Sequence, residues 1–244
     1  METNPLQQAR IDLAAALRWA FRLGFSEGVC NHFSLAAPGV PGRFLINPQG
    51  LHWSEIVPSD IVLVDAEGKL VGGKHPIEPT AFFIHSRIHR ARPKAVCVLH
   101  SHMPFATSIT LLDSGRLDPV SQNALRFFGR IAYDEEYNGL ALDDAEGDRI
   151  CAKLGDHDVL FIAHHGVIVC GESVANAFDD LYYLERAAML QVLAQGTGKT
   201  VRRIPHSVAA ATAKQFAGER QQSMLHFAAL KRILEREEPG WSAK

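Results

Sequence analysis

The sequence lacks most of the features that mark a specialised environment. Its 244 residues include four cysteines, Cys30, Cys97, Cys151 and Cys170, with no pair spaced C-x-x-C. Cysteines scattered in this way suggest neither a zinc knuckle nor a disulfide framework. No apolar run approaches the roughly 20 residues needed to cross a bilayer as a helix. An excess of one charge is also missing, since 25 basic and 27 acidic residues leave a net charge of −2. Nucleic acid and membrane are therefore not expected as partners. No Ser/Gly/Pro-rich linker, repeat or low-complexity stretch divides the chain, and the polar segment Met1–Arg10 lacks the apolar core of a signal peptide. The expectation is a reduced, cytoplasmic protein with one domain over residues 8–200, extended by helices over 201–244.

What is present is an alternation of two periodicities. Ile11, Leu13, Leu17, Ala20 and Phe21 recur at helical spacing and stop at Gly24. Short β-branched runs follow: His32–Ala36, Arg43–Ile46, and a hairpin signal in which Ile61–Asp65 and Lys69–Val71 flank Ala66-Glu67-Gly68. Thr80 is placed to cap a helix that closes at Pro93. A strand over Ala95–Leu99, short helices over Pro104–Leu111 and Val120–Phe128, and a strand over Arg130–Tyr133 come next. Asp143 or Asp144 caps a helix ending at Gly155, and strands are expected at Val159–Ala163 and Val167–Cys170. A long amphipathic helix over Ser173–Gln195 precedes two more, near 206–217 and 220–236. This pattern predicts an α/β fold whose sheet is mixed, because it includes at least one hairpin.

Histidine carries the chemistry. The run Val96-Cys97-Val98-Leu99 ends in His100-Ser101-His102, and Phe161-Ile162-Ala163 ends in His164-His165-Gly166. Side chains two apart in a strand share a face, so His100 and His102 can turn both imidazoles toward one ion. A third imidazole, His165, arrives from another strand. Three nitrogen donors with open positions describe a catalytic site for zinc, manganese, iron or cobalt. The plainer alternative is a set of core histidines with satisfied hydrogen bonds.

The ordered set resembles the class II aldolase/adducin family. It comprises the turn and strand from Glu27 through Leu35 with Asn31, the turn Asn47-Pro48-Gln49-Gly50, the helix carrying His85, the His100-Ser101-His102 motif and His164-His165-Gly166. The resemblance spans roughly residues 8 to 200. It implies a three-layer αβα fold around a mixed sheet, a homotetramer, and one divalent metal held by His100, His102 and His165. It also implies a C-terminal segment that covers a neighbouring subunit's site, and Trp241 in a charged tail is the cue. A frayed end is the alternative.

Departures from the family pattern narrow the expectation. The aldolases carry a ligating, proton-accepting glutamate four residues before the helix histidine, and that position is Ala81. Their phosphate-binding serines fall where this chain has Ile77-Glu78-Pro79-Thr80. A base is required for aldol cleavage, whereas loss of carbon dioxide leaves an enolate that needs only a proton donor. The expected activity is therefore a metal-dependent carbon–carbon lyase, decarboxylating a small hydroxy- or oxo-carboxylate, aromatic ones included, through a metal-stabilised enolate. The alternatives are a class II aldolase, a non-haem iron oxygenase and a non-enzymatic adducin-like interaction module.

Tyr133, Tyr137 and His85 are the expected proton donors, with His164 a further candidate that more often packs on the opposite strand face. Asn31, Gly50 and Glu78 are placed at the substrate. Glu78 is read as a substitute ligand or an ordinary loop carboxylate. Arg126 and Arg130 would pair with a substrate carboxylate or lie on a solvated helix face. Trp53, Phe127 and Phe128 would line an aromatic-sized pocket or belong to the core.

Overall fold

The computed structural model describes residues 4–243. Helix α1 (Pro5–Arg22) starts where Asn4 accepts from the Leu6 N–H and Pro5 takes the first helical position, which needs no donor. An antiparallel meander follows: β1 (His32–Ala36), β2 (Phe44–Ile46), β3 (Val62–Val64) and β4 (Leu70–Gly72). Next come α2 (Pro79–Ala91), β5 (Cys97–Ser101), α3 (Pro104–Thr110), α4 (Gln122–Leu125) and β6 (Ile131–Asp134). The chain continues through α5 (Asp144–Leu154), β7 (Val159–Ile162), β8 (Gly166–Gly171), α6 (Val174–Gln195), α7 (His206–Gly218) and α8 (Gln221–Glu237). The eight strands make one sheet in the order β4-β3-β2-β1-β5-β8-β7-β6. Only β6 and β7 run parallel, so the mixed sheet is mostly antiparallel.

Strand alternation sorts the side chains between two helical layers. Phe33, Leu35, Cys97, Leu99, Val167 and Val169 pack with Leu13, Leu17, Phe178, Leu181 and Leu184 of α1 and α6. On the opposite face Val98, Leu160 and Ile168 meet Ile84 and Ile88 of α2 and Ile150 and Leu154 of α5. Phe44, Ile46, Val62 and Val64 close over Ala81. The architecture is the expected three-layer αβα. Full burial of each large aliphatic side chain contributes roughly 1.5–3 kcal/mol, which makes these two layers the main source of stability.

Several expected boundaries move. The helix expected to be capped by Thr80 begins earlier, because the Glu78 carboxylate accepts from the Ala81 N–H and Pro79 fits the first position. The central strand runs on to Ser101, which puts His100 inside it. The helix expected over Val120–Phe128 contracts to Gln122–Leu125. Through residue 243 the charged tail packs on its own chain. Trp241 is 3% exposed, in one core with Phe227, Leu230 and Leu234 of α8. Trp19 Nε1 donates to Leu230 O at 2.9 Å, and Arg22 pairs with Glu237 at 2.6 Å. One face of α8 packs against α1 and α6, while Met224 and Leu225 on the same helix stay exposed.

Candidate metal centre

Three imidazoles converge where β5 ends and β8 begins. Ring centroids of His100, His102 and His165 lie 5.0, 4.8 and 4.8 Å apart, close to an equilateral triangle. One ligand atom from each lies within 4.8 Å of the others. His100 comes from the last turn of β5's pleat and His102 from just beyond it. His165 closes the tight β7–β8 turn, in which His164 takes a left-handed φ of 57°. That backbone is held by His165 N–H donating to Ile162 O at 3.2 Å and by Ala163 N–H donating to Asp134 O at 2.9 Å. Gly166 is there because nothing larger fits: a Cβ would come within 2.7 Å of His102 Cδ2 and of Ser101 O.

Hydrogen bonding aims the donors. His100 Nδ1 faces Val167 O at 3.0 Å, and His102 Nδ1 faces the Glu27 carboxylate at 2.6 Å. Both partners are acceptors, so each Nδ1 carries the hydrogen, and a neutral ring then leaves Nε2 bare. Yet the two Nε2 atoms stand 3.1 Å apart. Two lone pairs at that distance repel unless something positive lies between them. Burial pushes His100 well below the ordinary histidine range and, with His102 nearby, His165 down to about 4. Three imidazoles converging in this way, with the Nε2 atoms of His100 and His102 face to face, fit a divalent cation better than a set of satisfied core histidines.

The structure brings some of the other expected residues to the triad. Asn31, at φ 71°, accepts from the His102 N–H at 3.4 Å and is itself held through its carbonyl by Asn47 Nδ2. The Tyr137 ring lies 6.4 Å from that of His165 and is half exposed, on the loop between β6 and α5. Glu78 lies one step further out, 3.9 Å from His32 Nε2, with Oε2 occupied by the Thr80 hydroxyl and the Ala81 N–H.

Others are placed elsewhere. The Tyr133 hydroxyl accepts from Leu117 N–H at 3.1 Å, its ring lies 4.2 Å under the Arg116 guanidinium, and it faces a separate cavity of about 490 Å³. Burial raises its pKa, which suits a structural phenol. His85 is fully buried with both ring nitrogens engaged, so it braces the site from behind and does not face a substrate. His164 sits in the turn, not on a strand face, and opens into the same cavity as Tyr133. Gly50, at φ 84°, shapes an exposed turn.

Arg126 and Arg130 are neither solvated nor free. Arg126 pairs with Asp179 at 3.2 Å, and Arg130 with Asp180 and Asp158 at 2.6 and 2.8 Å. Trp53 and Phe127 are core residues at 0% and 1% exposure. Two residues outside the expected site join it: Glu27, which orients His102, and His32, whose ring stacks on His100 at 4.8 Å. A carboxylate beside the Gly28 turn and a histidine directly after Asn31 were the available signals.

Comparison with known proteins agrees with this architecture. The model of the class II aldolase and adducin N-terminal domain matches residues 11–192, and the chain belongs to that family. An aldolase II superfamily protein from Pseudomonas syringae superposes with a TM-score of 0.91 at 35% identity, covering 98% of this chain and 97% of that one. Decarboxylase NovR from Streptomyces niveus is 32% identical over 225 residues, 90% of this chain and 83% of the relative. L-fuculose 1-phosphate aldolase from Glaciozyma antarctica superposes with a TM-score of 0.84 at 26% identity, covering 95% and 92%.

Proposed function

We propose that this protein is a divalent-metal-dependent carbon–carbon lyase that decarboxylates a small hydroxy- or oxo-carboxylate. The observation that carries the reading is the convergence of His100, His102 and His165, with the Nε2 atoms of His100 and His102 face to face and no carboxylate from α2 beside them. Ala81, 1% exposed, packs among Phe44, Ile46, Val62 and Val64 instead. Bound at the triad, zinc, manganese, iron or cobalt would supply a Lewis acid that neutralises an enolate.

The chain's own residues then have limited tasks. Glu27 holds His102 in the tautomer that exposes Nε2, and Asn31 fixes the backbone of the same residue. When the carboxyl group leaves as carbon dioxide, the bonding electron pair remains on the substrate carbon. Tyr137, with its ring 6.4 Å from that of His165 and half exposed, is assigned the return of a proton to that carbon and recovers its own from solvent. With Ala81 in place of a carboxylate on α2, aldol cleavage lacks the carboxylate base that α2 would otherwise offer the hydroxyl proton. Similarity to an L-fuculose 1-phosphate aldolase keeps that reaction as the second reading.

A screen of aromatic and aliphatic hydroxy- and oxo-carboxylates against protein loaded with each metal tests the assignment, following carbon dioxide. Carbon dioxide release that vanishes with a chelator is the expected result. Aldehyde release from a sugar phosphate, with no decarboxylation, would overturn it. We also propose assembly as a homotetramer, supported by the exposed Leu111, Leu112, Leu190 and Leu193. Light scattering that returns the mass of a single chain would exclude this.

A further inference from the structure

A second set of histidines runs behind the triad, joined by hydrogen bonds whose direction has one solution. It starts at the Ala95 carbonyl oxygen, which can only accept. His89 Nδ1 lies 3.1 Å from it and must carry the hydrogen. Burial pushes His89 down to about 4, so the ring is neutral and its Nε2 is bare. That nitrogen accepts from the Ser34 hydroxyl at 2.7 Å. The only proton of Ser34 is then committed, and its oxygen accepts from His85 Nδ1–H. His85, held well below the ordinary range by burial, leaves its own Nε2 to accept from His32 Nδ1–H at 2.7 Å. Reversing the chain would set a bare His89 nitrogen against a carbonyl oxygen.

The last link faces the site. His32 and His100 are cross-strand partners on one face of β1 and β5, with stacked rings. With Nδ1–H spent on His85, Nε2 is the ring nitrogen that His32 has left for a ligand. Among the described residues it has no hydrogen-bond partner, and it is not one of the buried side-chain atoms cut off from solvent. Glu78 Oε2, another acceptor, lies 3.9 Å away. Two acceptors face each other with no hydrogen between them, beside three imidazoles poised to bind.

We propose that His32 is a substrate-binding residue whose Nε2 accepts a hydrogen bond from a hydroxyl group on the compound bound at the triad, so that the site selects hydroxylated carboxylates over ones without that donor. This rests on the metal-dependent reading above. Ser34, His85 and His89 are positioning residues that hold His32 in one tautomer. Together these four side chains do what a single carboxylate on α2 would have done for recognition: they fix an acceptor beside the triad.

Two measurements test the proposal. Long-range proton–nitrogen spectra of the zinc-loaded protein should show His32, His85 and His89 all as the Nδ1–H tautomer. A His32 signal from the Nε2–H form or from the imidazolium overturns the assignment, and no variant is needed to see it. Calorimetry then compares glycolate, which has the hydroxyl donor, with methoxyacetate, which lacks it. His32→Asn keeps an amide N–H for His85 and has no atom at the Nε2 position. It should reduce the glycolate preference about fivefold to tenfold, the worth of one hydrogen bond, with zinc content unchanged. An equal preference in both proteins overturns the proposal alone. Failure of the wild-type protein to bind zinc overturns the metal reading and this inference together. Should His32→Asn not fold, Ser34→Ala releases the tautomer and should shift the same preference in the same direction.

Discussion

Two polar clusters lie at opposite ends of the sheet, and both are largely buried. Near the start of β6, Asp179 accepts from Arg126, Ser223 and His226, while Arg130 is shared between Asp180 and Asp158. Arg126 is also sandwiched between the rings of Tyr183 and Phe216, at 3.7 and 4.7 Å. Opposite charges meet there, and the aspartates find their donors within the chain. At the other end, where β5 stops and β8 starts, the outer nitrogens are satisfied and the inner ones are left facing one another. The first cluster completes itself and ties α6 to its neighbours. The second is complete only with something added. An arginine pair reads from sequence as a carboxylate-binding motif, but whether its charge is already consumed separates a brace from a site.

The comparison can be broken at either end. The largest effect is expected from His100→Ala with His102→Ala: bound zinc should be lost altogether in elemental analysis, and turnover with it. Unchanged metal content would remove the triad from its role. Asp179→Ala should leave metal content intact while costing about 3–5 kcal/mol in chemical denaturation, since it strands a buried guanidinium. If instead metal is lost and stability kept, the two clusters have been assigned the wrong way round.

Smaller changes sharpen the contrast. Glu27→Gln removes the charged acceptor behind His102 and should weaken zinc about 10- to 100-fold in competition with a chromophoric chelator. Gly166→Ala should cost about 1–3 kcal/mol and weaken zinc as well, because the new methyl displaces His102. Stability should also respond to pH. His89 in the folded chain titrates near 4, below its ordinary 6.5. The unfolded chain therefore binds a proton that the folded one refuses between those values. The stability present above 6.5 is lost as pH falls toward 4, and denaturation midpoints measured across that range should decline.

Much of the fold was legible because periodicity is local. The apolar stripe of Ser173–Gln195 and the hairpin around Ala66-Glu67-Gly68 need no knowledge of partners to be read. Boundaries failed where a cap competes, as when Glu78 and Pro79 start α2 ahead of Thr80. The three triad histidines were legible too, since each follows an apolar strand and His165 precedes a glycine. Tyr133 and Tyr137 looked equivalent on one short stretch, although Tyr133 turns its hydroxyl to Leu117 and only Tyr137 lies beside His165.

By itself, then, the sequence determined the αβα layering, the family and the residues able to hold a metal, because spacing along a strand or helix dictates which side chains share a face. Tertiary structure alone decided which charges were already spent. It paired Arg126 and Arg130 with aspartates from α6, folded Trp241 into its own core, and set Glu27 behind His102. It also joined β1 to α2, so that His32, Ser34, His85 and His89 share a single run of hydrogen bonds. Those outcomes depend on which distant acceptor a donor meets, and no local pattern records that.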